Sequence, residues 1–284
     1  MNMLDCSTVK GIQLSMVKLS HLAALSFRGI DAGSFLHNQL SADVNGLANG
    51  DATFACYCEP KGRVLALLLV QRVDAGYHAI LSATLAQAVA DRLKIYRLRA
   101  KVDIEIMRDQ TVLGFAADEE APAPAIPLPG GQRKLALCAS DQAAGADETL
   151  LEAWRFTDLQ SGISWLDEKT SGEFLPQMLG FEELGAVNYR KGCYPGQEIV
   201  ARTHYLGKVK RHPRLLDCRL SARPQPMDKL NIYADGEAHE AVVVESAHYV
   251  DGLIRLLTVT RMEPELPAAT VEFDGEKIEV QPPS

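Results

Sequence analysis

Short apolar runs, separated by turn residues, recur along most of the chain and predict an α+β fold. Phe54–Cys58 and Val64–Val70 are apolar runs joined by Glu59-Pro60-Lys61-Gly62, a segment whose proline and glycine favour a tight turn. Further strands are predicted over Leu19–Phe27 and Tyr77–Leu81. The first half of the chain is therefore expected to contain antiparallel hairpins.

Two amphipathic helices are predicted between these strands. Asp31 is expected to cap a helix over Ala32–Leu40, and Ser82 a helix over Ala83–Leu93, because both residue types favour the position before the first helical turn. Valine and isoleucine alternate with charged residues over Ala100–Met107, which predicts another strand.

The later part of the chain has a different pattern of residues. Residues Ala117–Arg133 are rich in proline and predict a loop or connector between subdomains. After Arg214, short apolar runs alternate with Asp-Gly turns, which predicts a small β-barrel or sandwich. The predicted strands are Leu215–Leu220, Leu230–Tyr233, Ala241–Glu245, Leu253–Thr260 and Val271–Phe273, and the turns are Asp235-Gly236, Asp251-Gly252 and Asp274-Gly275.

Composition narrows the class of protein. With 284 residues and 47% hydrophobic content, the chain is expected to fold throughout, as two or three domains. Its formal net charge of −8 argues against general nucleic-acid binding, because neutralising phosphates requires a basic surface. The sequence shows neither a signal peptide nor a membrane-spanning run, so no membrane partner is expected and the cytoplasm is the predicted compartment.

The six cysteines do not form a disulfide framework, because they are scattered along a mid-sized chain. Only Cys56 and Cys58 are close in sequence, and we expect their thiols to point to opposite faces of a strand. No second pair completes a metal site, so no metal is predicted. Fingerprints of dinucleotide-binding, P-loop, zinc-protease and serine-hydrolase proteins are also absent.

One segment concentrates positive charge on this acidic chain. Between Arg190 and Arg214 the only acid is Glu198, whereas seven residues are basic: Arg190, Lys191, Arg202, Lys208, Lys210, Arg211 and Arg214. Such a segment attracts anionic ligands. A solvated basic face that pairs with acids elsewhere explains the charge equally well.

The basic segment also contains a possible functional thiol, in the run Lys191-Gly192-Cys193-Tyr194-Pro195-Gly196-Gln197-Glu198. Its glycines allow the backbone to approach a ligand closely, and Gln197 and Glu198 are predicted to open a helix. Cys193 would then lie near a helix N-terminus and beside Lys191, which favours the thiolate form. A functional thiol is predicted, the alternative being an inert cysteine in a packed turn.

The chain resembles the YgfZ family, whose members are relatives of the glycine-cleavage aminomethyltransferases. Lys191–Glu198 carries the resemblance, together with Phe174–Met178, Lys61-Gly62-Arg63 and the helix within Gly29–Val44. Leu93–Val102 is similar to the family strand after the second helix. The family usually has serine or threonine where this chain has Pro195, a change that stiffens the turn without removing a reactive group.

This resemblance implies a three-lobed ring around a central cavity for tetrahydrofolate or a one-carbon derivative. Two ferredoxin-like α+β lobes would intertwine over residues 1–212, and a β-barrel would occupy residues 213–284. Trp154, on an expected strand, would flank the folate. The other folate-binding residues expected from the resemblance are Lys191, Tyr194, Gln197, Glu198 and Arg202. Arg202, Lys208 and Arg211 are candidates to hold the glutamate tail.

The strand Arg63–Val70 lacks the aspartate that activates folate in true aminomethyltransferases. The resemblance therefore implies a folate-binding accessory protein that supports iron-sulfur cluster assembly or repair and, through client enzymes, tRNA modification. Its partners would be iron-sulfur client or assembly proteins. Two alternatives stay open: a one-carbon transferase or demethylase that uses Glu198 or another acid, and a folate-independent interaction protein.

Overall fold

The computed structural model describes residues 8–9, 12–13, 16–140, 147–207, 209–234, 237–249, 252–261 and 269–280. The fold is mixed α/β and consists mostly of strands. The strands are β1 (Thr8–Val9), β2 (Ile12–Gln13), β3 (Val17–Lys18), β4 (Leu22–Arg28), β5 (Ala52–Cys58), β6 (Val64–Val73), β7 (Gly76–Ser82), β8 (Asp103–Ile106), β9 (Gln110–Ala116), β10 (Ile126–Pro127), β11 (Arg133–Ala139), β12 (His212–Cys218), β13 (Lys229–Ala234), β14 (Glu237–His248), β15 (Ile254–Thr260), β16 (Ala269–Phe273) and β17 (Glu276–Val280).

The helices are α1 (Ala32–Gln39), α2 (Ala86–Tyr96), α3 (Glu148–Gln160) and α4 (Gln197–Tyr205), with a 3₁₀ helix at Pro176–Leu179. None of the helices in the described ranges is long and apolar enough to cross a bilayer.

A five-stranded antiparallel sheet in the order β5-β6-β7-β4-β8 forms the first unit of the fold. The predicted hairpin is confirmed: β5 pairs with β6, and the backbone N–H of Glu59 donates to the carbonyl of Arg63 across the turn. Gly62 has a φ of 79°, a left-handed conformation that favours glycine.

Both predicted helices exist, but neither predicted cap residue bonds to the first turn of its helix. Asp31 occupies the predicted N-cap position of α1, whereas its carboxylate accepts a hydrogen bond from the backbone N–H of Lys101 at 2.7 Å. Ser82 ends β7 and its hydroxyl lies 3.1 Å from that of Thr84, so α2 begins three residues later than predicted. The strand expected over Leu93–Val102 is also wrong, because α2 continues to Tyr96 and β8 begins only at Asp103.

The expectation for Cys56 and Cys58 is wrong as well. Residues two apart on a strand share a face, so the two thiols lie on the same side of β5. The interaction with Cys56 and complete burial raise the pKa of Cys58 well above its usual value. Both thiols belong to the hydrophobic core.

A four-stranded sheet in the order β10-β11-β9-β3 combines β3, which precedes the first sheet in the chain, with three later strands. The proline-rich segment, predicted as a loop, contributes the short strand β10 at the edge of this sheet. An edge position suits Pro127 because proline has no N–H to donate to a neighbouring strand.

The C-terminal part is a six-stranded antiparallel sheet in the order β12-β15-β14-β13-β16-β17. The sheet curls over its own apolar core, and its first and last strands approach each other. Ser221, after β12, donates through its backbone N–H and hydroxyl to the carboxylate of Glu276 on β17. Asp274 and Gly275 have φ values of 50° and 79° and make the predicted turn, whereas Asp235-Gly236 and Asp251 lie outside the described residues.

Helix α3 carries a buried network of charges. The Asp147 side chain caps the helix by accepting from the N–H groups of Thr149 and Leu150. Farther along, Asp158 accepts from Arg133 on β11 at 2.7 Å, and both side chains are almost fully buried. Arg155 reaches Glu245 on β14 at 3.2 Å. These pairs join α3 to two different sheets.

Candidate functional site

The segment Lys191–Glu198 lies between an asparagine-led turn and helix α4. The side-chain oxygen of Asn188 accepts from the backbone N–H groups of Arg190 and Lys191 at 2.8 and 3.2 Å. Gly196, with a φ of 83°, ends the loop, and α4 begins at Gln197 as predicted. We call residues Arg190–Gly196 the signature loop.

Lys191 attaches the signature loop to the end of α1. Its ammonium group donates to the backbone carbonyls of His37 and, at 2.6 Å, of Leu40. A cation is favourable at this position, because carbonyls at a helix C-terminus carry partial negative charge. Burial lowers the pKa of Lys191 to about 8, while the charges of Asp43 and Cys193 oppose that shift.

Gly196 attaches the loop to the hairpin turn between β5 and β6. A Cβ atom at residue 196 would lie 2.4 Å from the carbonyl oxygen of Glu59 and 2.6 Å from the Cα atom of Gly62. Only two glycines allow so close an approach of the two backbones. The Lys61-Gly62-Arg63 turn and the signature loop, distant in sequence, therefore meet in space.

The Phe174–Met178 segment joins the same assembly. The backbone N–H of Val64 donates to the carbonyl of Phe174 at 2.8 Å. The amide group of Gln177 donates to the backbone carbonyl of Val200 on α4 and to the hydroxyl of Tyr189. This segment carries part of the resemblance, but the sequence alone did not predict the contacts of Gln177.

Tyr194 points from the loop into the protein. Its side chain is buried, and within the described ranges its hydroxyl has no hydrogen-bond partner. Burial raises the pKa of Tyr194, and the nearby thiols of Cys58 and Cys56 add to this effect. Tyr194 thus packs close to the buried cysteine pair of β5.

Cys193 points the other way and is exposed. The amide of Gln197 reaches the backbone carbonyl of Lys191 at 3.4 Å. Glu198 and Arg202 lie on the exposed face of α4. The residues predicted for the site that follow one another on the loop and α4 therefore differ in direction, Tyr194 pointing inward and Cys193 outward; they are Lys191, Cys193, Tyr194, Gln197, Glu198 and Arg202.

Trp154 is placed differently from the prediction. It lies on helix α3 rather than on a strand, and its indole is fully buried. Gly114 packs against the six-membered ring, and the guanidinium of Arg133 lies 4.5 Å from the ring centre. A folate ring would have to displace Arg133 to stack on this face.

The basic segment is only partly available to ligands. Arg190, Arg202, Lys210 and Arg211 are exposed, whereas Arg214 is buried in β12. Lys208, predicted to hold a folate tail, lies outside the described residues.

The structure adds two residues beside the loop that sequence reasoning did not single out. His37 is in the last turn of α1, and its Nδ1 atom lies 3.1 Å from Oδ1 of Asp43. A Cβ atom at Gly192 would lie 4.0 Å from the other ring nitrogen of His37. Both residues fall in the helix segment that carried part of the resemblance, but no local pattern indicated that they approach Cys193.

The part of the chain that the structure describes contains no cluster of three or more histidine, cysteine or acidic side chains suited to a metal ion.

Comparison with known proteins shows what the chain is similar to. No family model matches the sequence. The tRNA-modifying protein YgfZ of Klebsiella pneumoniae is 27% identical over 287 residues, covering 89% of this chain and 88% of the relative. The chain is therefore similar to YgfZ over most of its length.

Two further matches are similar to the chain over most of its length. A Haemophilus influenzae protein described as uncharacterized is 26% identical over 249 residues, covering 86% of this chain and 88% of that protein. The glycine cleavage system aminomethyltransferase T of Bartonella henselae superposes with a TM-score of 0.68 at 15% identity, covering 95% of this chain and 85% of the other. This second likeness shows that the chain has the aminomethyltransferase fold.

Proposed function

We propose that this YgfZ-type protein is a tetrahydrofolate-binding accessory protein that supports iron-sulfur cluster assembly or repair and, through client enzymes, tRNA modification. The observation that carries the proposal is the anchored signature loop, which presents Cys193 to solvent. An exposed thiol on a loop held at both ends can meet a protein partner without rearrangement. The name of the Klebsiella relative supports the link to tRNA modification.

The transferase alternative has less support. Strand β6 contains no acidic residue, so it offers no carboxylate for proton transfer to folate. Glu198, the substitute considered from sequence, is exposed on α4. Water would screen that carboxylate and keep it from the dry environment that makes a base effective.

The residues present fit one end of a folate better than the other. Exposed Arg202, Lys210 and Arg211 suit the carboxylates of a glutamate tail. On the ring side, Trp154 is covered by Arg133, although the indole Nε1 has no hydrogen-bond partner in the described part of the chain. When bound, tetrahydrofolate would supply a carrier for one-carbon groups.

The proposal includes an arrangement for the whole molecule. Two α+β lobes in residues 1–212 and the β-barrel of residues 213–284 would form a three-lobed ring around the folate, in the cytoplasm. The aminomethyltransferase fold supports this arrangement.

Folate binding is tested by isothermal titration with 5-formyltetrahydrofolate. We expect binding to the wild-type chain and a dissociation constant raised about two- to fivefold in Arg202→Ala, because an exposed ion pair contributes up to about 1 kcal/mol. Arg99→Ala, which removes an exposed arginine after α2, is the control. Absence of binding to the wild type would remove folate from the proposal.

The role of Cys193 is tested in a strain that lacks the native gene, with tRNA methylthiolation and the activity of a cluster enzyme as readouts. Cys193→Ala is expected to fail to restore both, whereas Cys138→Ala, at a buried thiol on β11, is expected to restore them. Full restoration by Cys193→Ala would exclude this thiol from the function.

A further inference from the structure

The last turn of α1 and the signature loop place four polar side chains together. Lys191 donates to carbonyls of this turn, and its ammonium group is close enough to Cys193 and Asp43 to feel the charge of both. His37 belongs to the same turn. Asp43 pairs with His37, and Cys193 directly follows Gly192, which lies beside the imidazole of His37.

The imidazole of His37 lies between the carboxylate and the loop. Nδ1 is 3.1 Å from Asp43, within ion-pair distance although outside hydrogen-bonding angles. Nε2 faces the backbone just before Cys193, where Gly192 has no side chain to fill the space. The imidazole is mostly buried, with 16% of its side chain exposed, whereas Cys193, the residue after Gly192, is exposed.

We propose that His37 is the base that takes the proton of the Cys193 thiol, and that Asp43 is a positioning residue that stabilises the resulting imidazolium. In this step the S–H bond breaks, an N–H bond forms at Nε2, and the electron pair stays on sulfur. A nucleophile, a base and a carboxylate behind the base are the arrangement that activates thiols and hydroxyls in many enzymes.

The substrate class that suits this thiolate is a disulfide. The thiolate attacks one sulfur, the S–S bond of the partner breaks, a mixed disulfide forms, and the departing thiolate takes the proton held by His37. The inference rests on the proposed function only in taking Cys193 as the functional thiol. The test of this inference needs neither folate nor a client protein, so the inference and the proposed function can fail separately.

The experiment measures alkylation of Cys193 by iodoacetamide in the full chain, followed for the Cys193 peptide by mass spectrometry from pH 5.5 to pH 9.5. His37→Gln is expected to slow the reaction at pH 7 about tenfold or more, since a positioned base contributes at least that much, and to move the rise in rate to higher pH. Asp43→Asn is expected to slow it about threefold. The same order of rates is expected with glutathione disulfide.

His204→Gln is the matched control, because His204 also pairs with a carboxylate, that of Glu182 at 2.7 Å, but on α4. Its profile is expected to match that of the wild type. Added imidazole is expected to restore rate to His37→Ala, which a purely structural role of His37 would not allow. Profiles of His37→Gln and Asp43→Asn that superimpose on the wild type would overturn the proposal, and each variant is checked for folding by circular dichroism.

Discussion

The signature loop and the charge network around α3 hold polar groups in opposite ways. In the loop, Cys193 remains at the surface, while backbone carbonyls and glycine contacts hold the chain in place. Around α3, Arg133 and Asp158 are withdrawn from water and satisfied by each other. Cys193 is therefore available to react with a partner, whereas Arg133 and Asp158 serve to join parts of the fold.

The largest effect is expected from breaking the buried pair. Asp158→Ala leaves the guanidinium of Arg133 buried without its partner and removes the acceptor of the Trp165 N–H, so we expect a loss of about 3–5 kcal/mol in the free energy of unfolding. Urea unfolding measures this loss. Asp103→Ala is the control, because its pair with Arg97 is exposed and is expected to contribute less than about 1 kcal/mol. Equal losses in the two variants would show that the buried pair contributes no more to stability than the exposed pair.

A smaller effect is expected from Gly196→Ala in the loop. The added Cβ would clash with the backbone of the hairpin turn, and the residue would also be strained at a φ of 83°. Gly185→Ala separates the two causes, since Gly185 has a φ of 76° but open space around it. We expect a loss of about 1 kcal/mol for Gly185→Ala and about 2 kcal/mol more for Gly196→Ala, by thermal unfolding. A result in which the two glycines cost the same would show that the contact with Gly62 is dispensable.

The smallest effect, taken per pH unit, is a pH dependence near the buried network. Burial, and to a lesser extent the charge of Arg155, lower the pKa of His21 from 6.5 to about 3. The unfolded chain therefore binds a proton that the folded chain does not, between pH 6.5 and pH 3. The free energy of unfolding is expected to fall as pH falls through this window, by at most about 1.4 kcal/mol per pH unit from this residue.

His21→Leu tests this dependence, because it removes the titrating group. Its unfolding free energy is expected to fall less steeply with decreasing pH than that of the wild type. Parallel curves for the two proteins would mean that His21 is as accessible to protons in the folded state as in the unfolded one.

Elements with strong local signals could be predicted from the sequence. The hairpin of β5 and β6 has two apolar runs and a proline-glycine turn, and both its strands formed close to the predicted positions. Asp31 and Ser82 do not bond to the first turns of the helices, because each has another partner in the folded chain. A short polar side chain has several possible acceptors and donors, and tertiary contacts decide among them.

Only the part of the candidate site that is continuous in sequence could be predicted. The signature loop and the start of α4 could be found by motif, whereas the approach of His37 and Asp43 depends on the docking of Lys191 on α1. Trp154 was placed on a strand, although Asp147 in front of Glu148 is a helix-start signal. The buried pairs of α3 escaped prediction because Arg133 and Glu245 lie far from their partners in the chain.

The contact between Gly62 and Gly196 also orders events during synthesis. The hairpin turn leaves the ribosome long before the signature loop. The loop can make its backbone contact with the turn only if the turn has already formed. Cys193 therefore reaches its displayed position only in a chain whose N-terminal sheet has folded. A partner that recognises the displayed thiol would in the same act select folded chains over misfolded ones.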